Sequence, residues 1–506
     1  MHNVAGLLAA GATREPGGPA WTFGDRSAGY ADLRDRVAGL AAGLVRMGLK
    51  PGDRLVLLLP NAPELVETLF AAFWAGLVAV PLNWHLHPQE VSYVVGHCGA
   101  GAVLVAPETA AAAEGLPAGT HVLHAGDGPG TDLADVTDTP IAMAETAPDD
   151  PAWLFYTSGT TGRPKGATLT HRNLLGMTLR YYADIDRVAP GSVFVHAAPL
   201  THGSGLYLLP AVGRAAHNVI STARGFDAGD YLALLAHHGA SHAAFVAPTM
   251  LKRMVLARGR TGHDLSALRS IVVGGAPLYL ADLRAATAAF GPVVTQIYGQ
   301  GESPMTITVM PPATAAELDA DPDRALSCGR AFTGVEVRVV DPGGRPVPAG
   351  VDGEVCVRGD VVMRGYWADA AATDGALRDG WLHTGDLGHL DAGGHLHLTD
   401  RAKDVIITGG SNVYPREVEE VLLTHPDVRE VAVIGRPDPD WGESVCAFVV
   451  AEPDRTRPDP AALVAHCRDR LASFKKPKEI VFIDALPKSA AGKILKRELR
   501  GRAPGP

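Results

Sequence analysis

Residues 153–174 read WLFYTSGTTGRPKGATLTHRNL. Trp153, Leu154, Phe155 and Tyr156 have the look of a short buried strand. Thr157, Ser158, Gly159, Thr160, Thr161 and Gly162 then supply a bend in which backbone N–H groups and hydroxyls can converge, and Lys165 adds a point charge. That is chemistry for holding an anion, phosphate above all. The spacing is not that of a Walker loop, because Pro164 and Ala167 stand five residues after Gly159 and Gly162 where that loop requires Gly-Lys. A P-loop NTPase is therefore disfavoured, and on composition alone a solvated Ser/Thr/Gly loop fits as well.

The elements that must position such a loop follow from the rest of the chain. At 506 residues the protein exceeds what one core supports, so at least two domains are expected, and 46% hydrophobic residues can fill them. A net charge of −10 argues against nonspecific nucleic-acid binding. Cys98, Cys328, Cys356, Cys446 and Cys467 form no CxxC pair, which fits reduced thiols used as small apolar residues. The apolar stretch 4–12 has no Lys or Arg before it, and 69–82 is too short to span a bilayer and contains Pro81, so a cytoplasmic address without a membrane span is expected.

Apolar runs ending in Pro recur at 54–60, 102–107, 192–199, 242–248 and 270–277, with Ala/Leu-rich helical patterns such as 30–48 and 231–240 around them. The alternation predicts an α/β fold of largely parallel sheets covered by helices, with functional loops at the strands' C-terminal ends. After about residue 330 the pattern changes to short strands with polar alternation and Gly-rich turns (335–350, 353–359, 394–401), which predicts a β-rich subdomain. A small α+β unit follows, with a helix entered through Ser411 and Asn412 and Pro415 in its first turn.

YTSGTTGRPKG (156–166), PLTHGSG (199–205), GGAP (274–277), YGQGE (298–302), WLHTGDLG (381–388), DRAKDVIITGGSNVYPREVE (400–419) and PKSAAGKILKREL (487–499) together resemble, in order and approximate spacing, the adenylate-forming superfamily of acyl-CoA synthetases, peptide-synthetase adenylation domains and luciferases. The likeness runs over nearly the whole chain and is greatest to acyl-CoA synthetases. It implies an acid–thiol ligase that turns a carboxylic acid and ATP into acyl-AMP and pyrophosphate, then passes the acyl group to coenzyme A. Mg²⁺ is the implied cofactor, with ATP and CoA as co-substrates.

The same resemblance implies roles by position. Thr157, Ser158, Gly159, Thr160, Thr161, Gly162 and Lys165 would contact the pyrophosphate, and Glu302 with Thr161 would hold Mg²⁺. Gly275, Ala276, Pro277 and Tyr298 would form the adenine slot, followed by Gly299, Gln300 and Gly301 beside the nucleotide. Asp386 would grip the ribose hydroxyls with Arg401 against the same sugar, and Lys493 would bridge the substrate carboxylate and α-phosphate. His202 would flank the reacting carboxylate, with Gly203, Ser204 and Gly205 leaving room for the acyl group. Residues 1–401 would be an ATP- and acyl-binding domain and 402–506 a mobile domain turning about Lys403, with Gly409 and Gly410 on the pantetheine path. Lys476, with Lys475 and Lys478, would meet CoA phosphates.

Two positions depart from the pattern. Gly301 stands where a Thr or Ser commonly donates a hydroxyl to the AMP phosphate, and Asp400 stands where a glycine is common. No Arg, Lys or Asp occurs between Pro199 and Pro210, which disfavours a second substrate carboxylate or an α-ammonium and leaves a hydrophobic monocarboxylate: fatty, aryl or bulky polycyclic. An acyl-AMP ligase loading a carrier protein, a catalytically dead nucleotide-binding regulator and a homodimer are the remaining alternatives.

Overall fold

The structure, a computed structural model, describes residues 2–500 apart from 127, 129, 158–162, 276–277, 279, 322–323, 326, 402–405, 414, 454, 456 and 488–495. The chain divides into two compact units. The first comprises Met1–Trp84, Val95–Tyr156 and Gly166–Asp400, and the second His85–Val94, Thr157–Lys165 and Arg401–Pro506.

The first unit is built on three sheets. The apolar runs at 54–60 and 102–107 become strands Arg54–Leu58 and Ala100–Val105, which pair in parallel inside an eight-stranded sheet that also holds Val78–Pro81, Pro151–Thr157 and Lys165–Thr170. Val193–His196, His217–Ile220, His242–Val246, Ser270–Val273 and Val294–Gln300 form the parallel middle of a nine-stranded sheet. Their side chains are nearly all buried, as strands covered on both faces require. Helix Tyr30–Arg46 buries Leu33, Val37, Leu40 and Leu44, spaced to share one face. Pro248, which closes the run 242–248, also opens a helix, and Pro63 likewise occupies a first-turn position, where a missing N–H costs nothing.

Strand Ser303–Met310 turns back antiparallel on Val294–Gln300, so residues 301–302 form the tip of a hairpin. The β-rich stretch after 330 is an antiparallel sheet of Glu336–Val340, Gly353–Arg358, Trp381–Leu390 and Leu377–Arg378, with Leu396–Arg401 joined to Trp381–Leu390. The pairing of Gly353–Arg358 with Trp381–Leu390 shifts register between Glu354 and Cys356, where residues 384–386 bulge from the ladder.

In the second unit, strands Val428–Asp438 and Gly442–Ala451 carry a two-sided core. Val431 and Val433 pack with Val418, Leu422 and Leu463, while Ala432 and Ile434 pack with Phe448 and Leu499 on the other face. Ser411 and Asn412 do not enter a helix: Ser411–Val413 is a strand paired to Ile406–Thr408, and the helix begins at Pro415. The β-propensity of Val413 and its burial outweigh the capping preference of the residues before it. All five cysteines are free thiols. Among the described residues no helix is long and apolar enough to cross a membrane.

Candidate active site

The hairpin tip and the bulge meet at Asp386. Its carboxylate is 4% exposed, and Oδ2 accepts hydrogen bonds from Tyr298 Oη and Gln300 Nε2, both at 2.6 Å. Gln300 Nε2 also donates to the Thr384 carbonyl at 3.0 Å. The turn carrying Asp386 is held from beneath: Thr384 Oγ1 donates to the Val355 carbonyl and accepts the Asp386 N–H, and Glu354 Oε1 accepts the Gly385 N–H. Two donors on one buried oxygen fix the carboxylate's direction, as recognition of a diol requires.

Glu302, half-buried, is the next residue of interest on that hairpin. Its Oε1 accepts from Tyr366 Oη at 2.8 Å, and its carbonyl accepts the Met363 N–H. Tyr366 was not foreseen, because its strand, Gly365–Tyr366, is too short to leave a periodic pattern. Gly299 lies where a Cβ would come within 2.7 Å of the Met305 backbone, so the hairpin closes only with glycine there.

His202 shows an exposed ring that is nonetheless crowded by protein, and this desolvation lowers its pKa. A side chain both accessible and crowded belongs to a concave wall. Its ring sits 5.0 Å from that of Phe155. The small residues after it do not leave the room expected of them. A Cβ on Gly203 would collide with Met305 Cε, and one on Gly205 would collide with the carbonyl of Leu200. Ser204 is 1% exposed, so the Gly203–Gly205 segment is spent on packing rather than on volume. Asn61, also unforeseen, clamps this loop: Leu200 N–H donates to its Oδ1 and its Nδ2 donates to the Ala198 carbonyl. The Asn directly after the run 54–60 was the only signal in the sequence.

Gly275 is exposed at φ +84°, a conformation that favours glycine. Ser158, Gly159, Thr160, Thr161, Gly162, Ala276, Pro277, Lys403 and Lys493 lie outside the described residues, as does the side chain of Arg401.

The second unit holds the remaining candidates. Thr157 ends one strand and Lys165 begins the next. Gly409 and Gly410 form an exposed turn at φ +56° and +79°, and a Cβ on Gly409 would stand 2.5 Å from Trp441 Cε3. Lys475 is not a surface charge awaiting a phosphate. It is buried between Glu90 at 2.7 Å and Glu417 at 2.9 Å: burial alone would lower its pKa, but the charges and hydrogen bonds of the two carboxylates together more than reverse this and raise it. Lys478 pairs with Asp438, and Lys476, half-buried, donates to the Ser473 carbonyl. Burial, with Arg468 and Lys478 nearby, lowers the pKa of Lys476.

Comparison with known proteins agrees with this arrangement. The AMP-binding enzyme family matches residues 8–367, and the AMP-binding enzyme C-terminal domain matches residues 417–493. Feruloyl-CoA synthases of an Amycolatopsis and a Streptomyces species are 40% identical over 496 residues, 97% of each chain. A fatty acid–[acyl-carrier-protein] ligase, ScoC of Streptomyces coeruleorubidus, is 36% identical over 97% of this chain and 94% of its own. The solved amide bond synthetase McbA of Marinactinospora thermotolerans superposes with a TM-score of 0.89 at 32% identity, covering 98% of this chain and 99% of that one. The chain belongs to the AMP-binding, adenylate-forming enzymes. Within them it is an acyl-CoA synthetase, an ATP-dependent acid–thiol ligase.

Proposed function

We propose that the acid is an aryl or fatty monocarboxylate, activated at the Asp386 hairpin and transferred to coenzyme A. The observation that carries the reading is the convergence of Tyr298 and Gln300 on one oxygen of buried Asp386, with Glu302 on the same hairpin. The acid's character rests on a wall containing Phe155, His202 and Met305, on the absence of Arg and Lys between Pro199 and Pro210, and on the likeness to feruloyl-CoA synthases.

In the first step a carboxylate oxygen attacks the α-phosphorus and the bond to the β-phosphate oxygen breaks, releasing pyrophosphate. In the second, the thiol attacks the acyl carbon and AMP leaves. Asp386 orients the ribose, and the loop 157–165 with Lys165 receives the leaving pyrophosphate. Lys493 neutralises the charge gathered between carboxylate and α-phosphate, where stabilisation specific to the transition state lowers the barrier most. His202 and Phe155 position the reacting end of the acid. Glu302 is a hard oxygen donor oriented by Tyr366, and the donor type suits Mg²⁺, with Thr161 as its companion. Mg²⁺ when bound supplies charge neutralisation of the phosphates. For the second step, rotation about Lys403 and the open turn at Gly409 and Gly410 give pantetheine its passage, and Lys476 meets a CoA phosphate.

A hydroxamate-trapping screen over cinnamic-type, fatty and polycyclic acids tests the substrate class. Strong turnover confined to dicarboxylates or amino acids would refute it. Lys493→Ala should abolish acyl-AMP formation while sparing thioester formation from supplied acyl-AMP, and equal loss in both half-reactions would remove Lys493 from the first step. The carrier-protein reading is favoured by the 36% identity to ScoC. It wins if a holo carrier protein accepts the acyl group at a higher kcat/KM than CoA.

A further inference from the structure

Cys356 and His383 stand directly opposite each other on paired strands, and Glu354 lies two residues before Cys356 on the same strand face. The register therefore brings a carboxylate, a thiol and an imidazole together. Glu354 Oε2 is 2.7 Å from His383 Nδ1, Cys356 Sγ is 3.5 Å from the same nitrogen, and the three donor atoms all lie within 4.8 Å of one another. Cys356 is buried, and the His383 side chain is only 7% exposed.

We propose that Glu354, Cys356 and His383 form a binding site for a zinc-class divalent cation. A tetrahedral centre with Zn–N, Zn–O and Zn–S bonds of about 2.0–2.3 Å holds its donors roughly 3.3–3.8 Å apart, so the observed triangle needs only small side-chain shifts to close on a metal. One nitrogen, one sulfur and one oxygen donor suit a borderline cation, whereas Mg²⁺ and Ca²⁺ take oxygen sets. Three protein ligands leave a fourth position for water. The charge also balances, since thiolate and carboxylate together cancel a divalent ion.

Metal entry breaks the S–H bond, forms the S–metal bond and releases the proton to solvent. Glu354 and His383 also support the Gly385 turn, and a purely supporting pair would bind no metal.

The test is a Co²⁺ titration of the full chain after chelator treatment, without ATP or acid, so that its outcome is independent of the proposed substrate. One equivalent should bind with intense tetrahedral visible bands and a thiolate-to-metal charge-transfer band, and Zn²⁺ should displace it. Cys356→Ser should abolish the charge-transfer band, and Cys98→Ser should retain it. Glu354→Gln, which keeps the side-chain shape, should weaken affinity by at least tenfold. Absence of the band in the wild type, its persistence in Cys356→Ser, or unchanged affinity in Glu354→Gln would overturn the site.

Discussion

Among the described residues the Tyr298 hydroxyl and Gln300 Nε2 donate to Asp386 Oδ2, which makes the worth of Tyr298 measurable. A hydrogen bond to a charged group contributes about 1.5–3 kcal/mol, and Gln300 remains in the variant, so Tyr298→Phe should lower kcat/KM for ATP by roughly tenfold. The KM for the acid should stay within about twofold of wild type. A loss that appears in the acid's KM instead would detach Tyr298 from the nucleotide end. At this scale the sequence offered candidates that sit in contiguous motifs, such as Asp386 in WLHTGDLG and Glu302 in YGQGE. It could not reveal Tyr366 beside Glu302, Phe155 beside His202 or Asn61 beside Leu200, because those contacts depend on how distant segments are laid beside one another. Asn61 reaches Leu200 across 139 positions of sequence.

Elements show the opposite balance. The parallel strands were legible because apolar runs bounded by Pro are long enough to carry a pattern, whereas Ser411–Val413, three residues long, was taken for a helix entry. Gly203 and Gly205 teach a related lesson, since the absence of a side chain in sequence does not say whether the space is empty. Gly205→Ala should force the Leu200 carbonyl aside at a cost of about 1–3 kcal/mol, lowering Tm by about 1–3 °C and reducing kcat/KM alike for short and bulky acids. A loss confined to bulky acids would restore Gly205 to the acyl channel. Met305, at φ +61° and packed on Gly203, is where volume can be changed. Met305→Gly relieves the backbone strain and removes the side chain over Gly203, so kcat/KM should rise for polycyclic acids relative to octanoate. An unchanged ratio would show that Met305 is not part of the acyl wall.

For the whole molecule, buried titratable groups set the response to pH. Burial lowers the pKa values of His171, His196 and His217 to about 4. These imidazoles are neutral in the folded state and become charged near pH 6.5 when unfolded. Their contribution is therefore present above pH 6.5 and is lost as pH falls toward 4. Glu67 acts oppositely: burial raises it to about 7 despite Arg36, so the folded state holds its proton while the unfolded state has released it, and stability falls as pH rises from about 4.5 to 7. Taken alone, these three imidazoles set against this one carboxyl leave about two protons taken up on unfolding near pH 5.5, so these four groups contribute a slope of roughly 3 kcal/mol per pH unit. Glu67→Gln should steepen the rise of Tm between pH 5 and 6.5, and a flatter profile would contradict the assignment.

The strand Pro19–Phe23 bears on how the chain is made. It pairs in parallel with His217–Ile220, Asn218 donates to the Ala20 carbonyl, and Val4 N–H donates to His171 Nδ1. None of these partners exists when residues 4–23 leave the ribosome. At about 5–20 residues per second, roughly 10–40 s pass before residue 220 is synthesised. Throughout that interval Val4, Leu8 and Trp21, all buried in the finished protein, lack the later part of the core that covers them. Residues 4–23 are thus a segment for which a nascent-chain chaperone has time to compete, and slowing translation should lengthen that exposure without altering the folded enzyme.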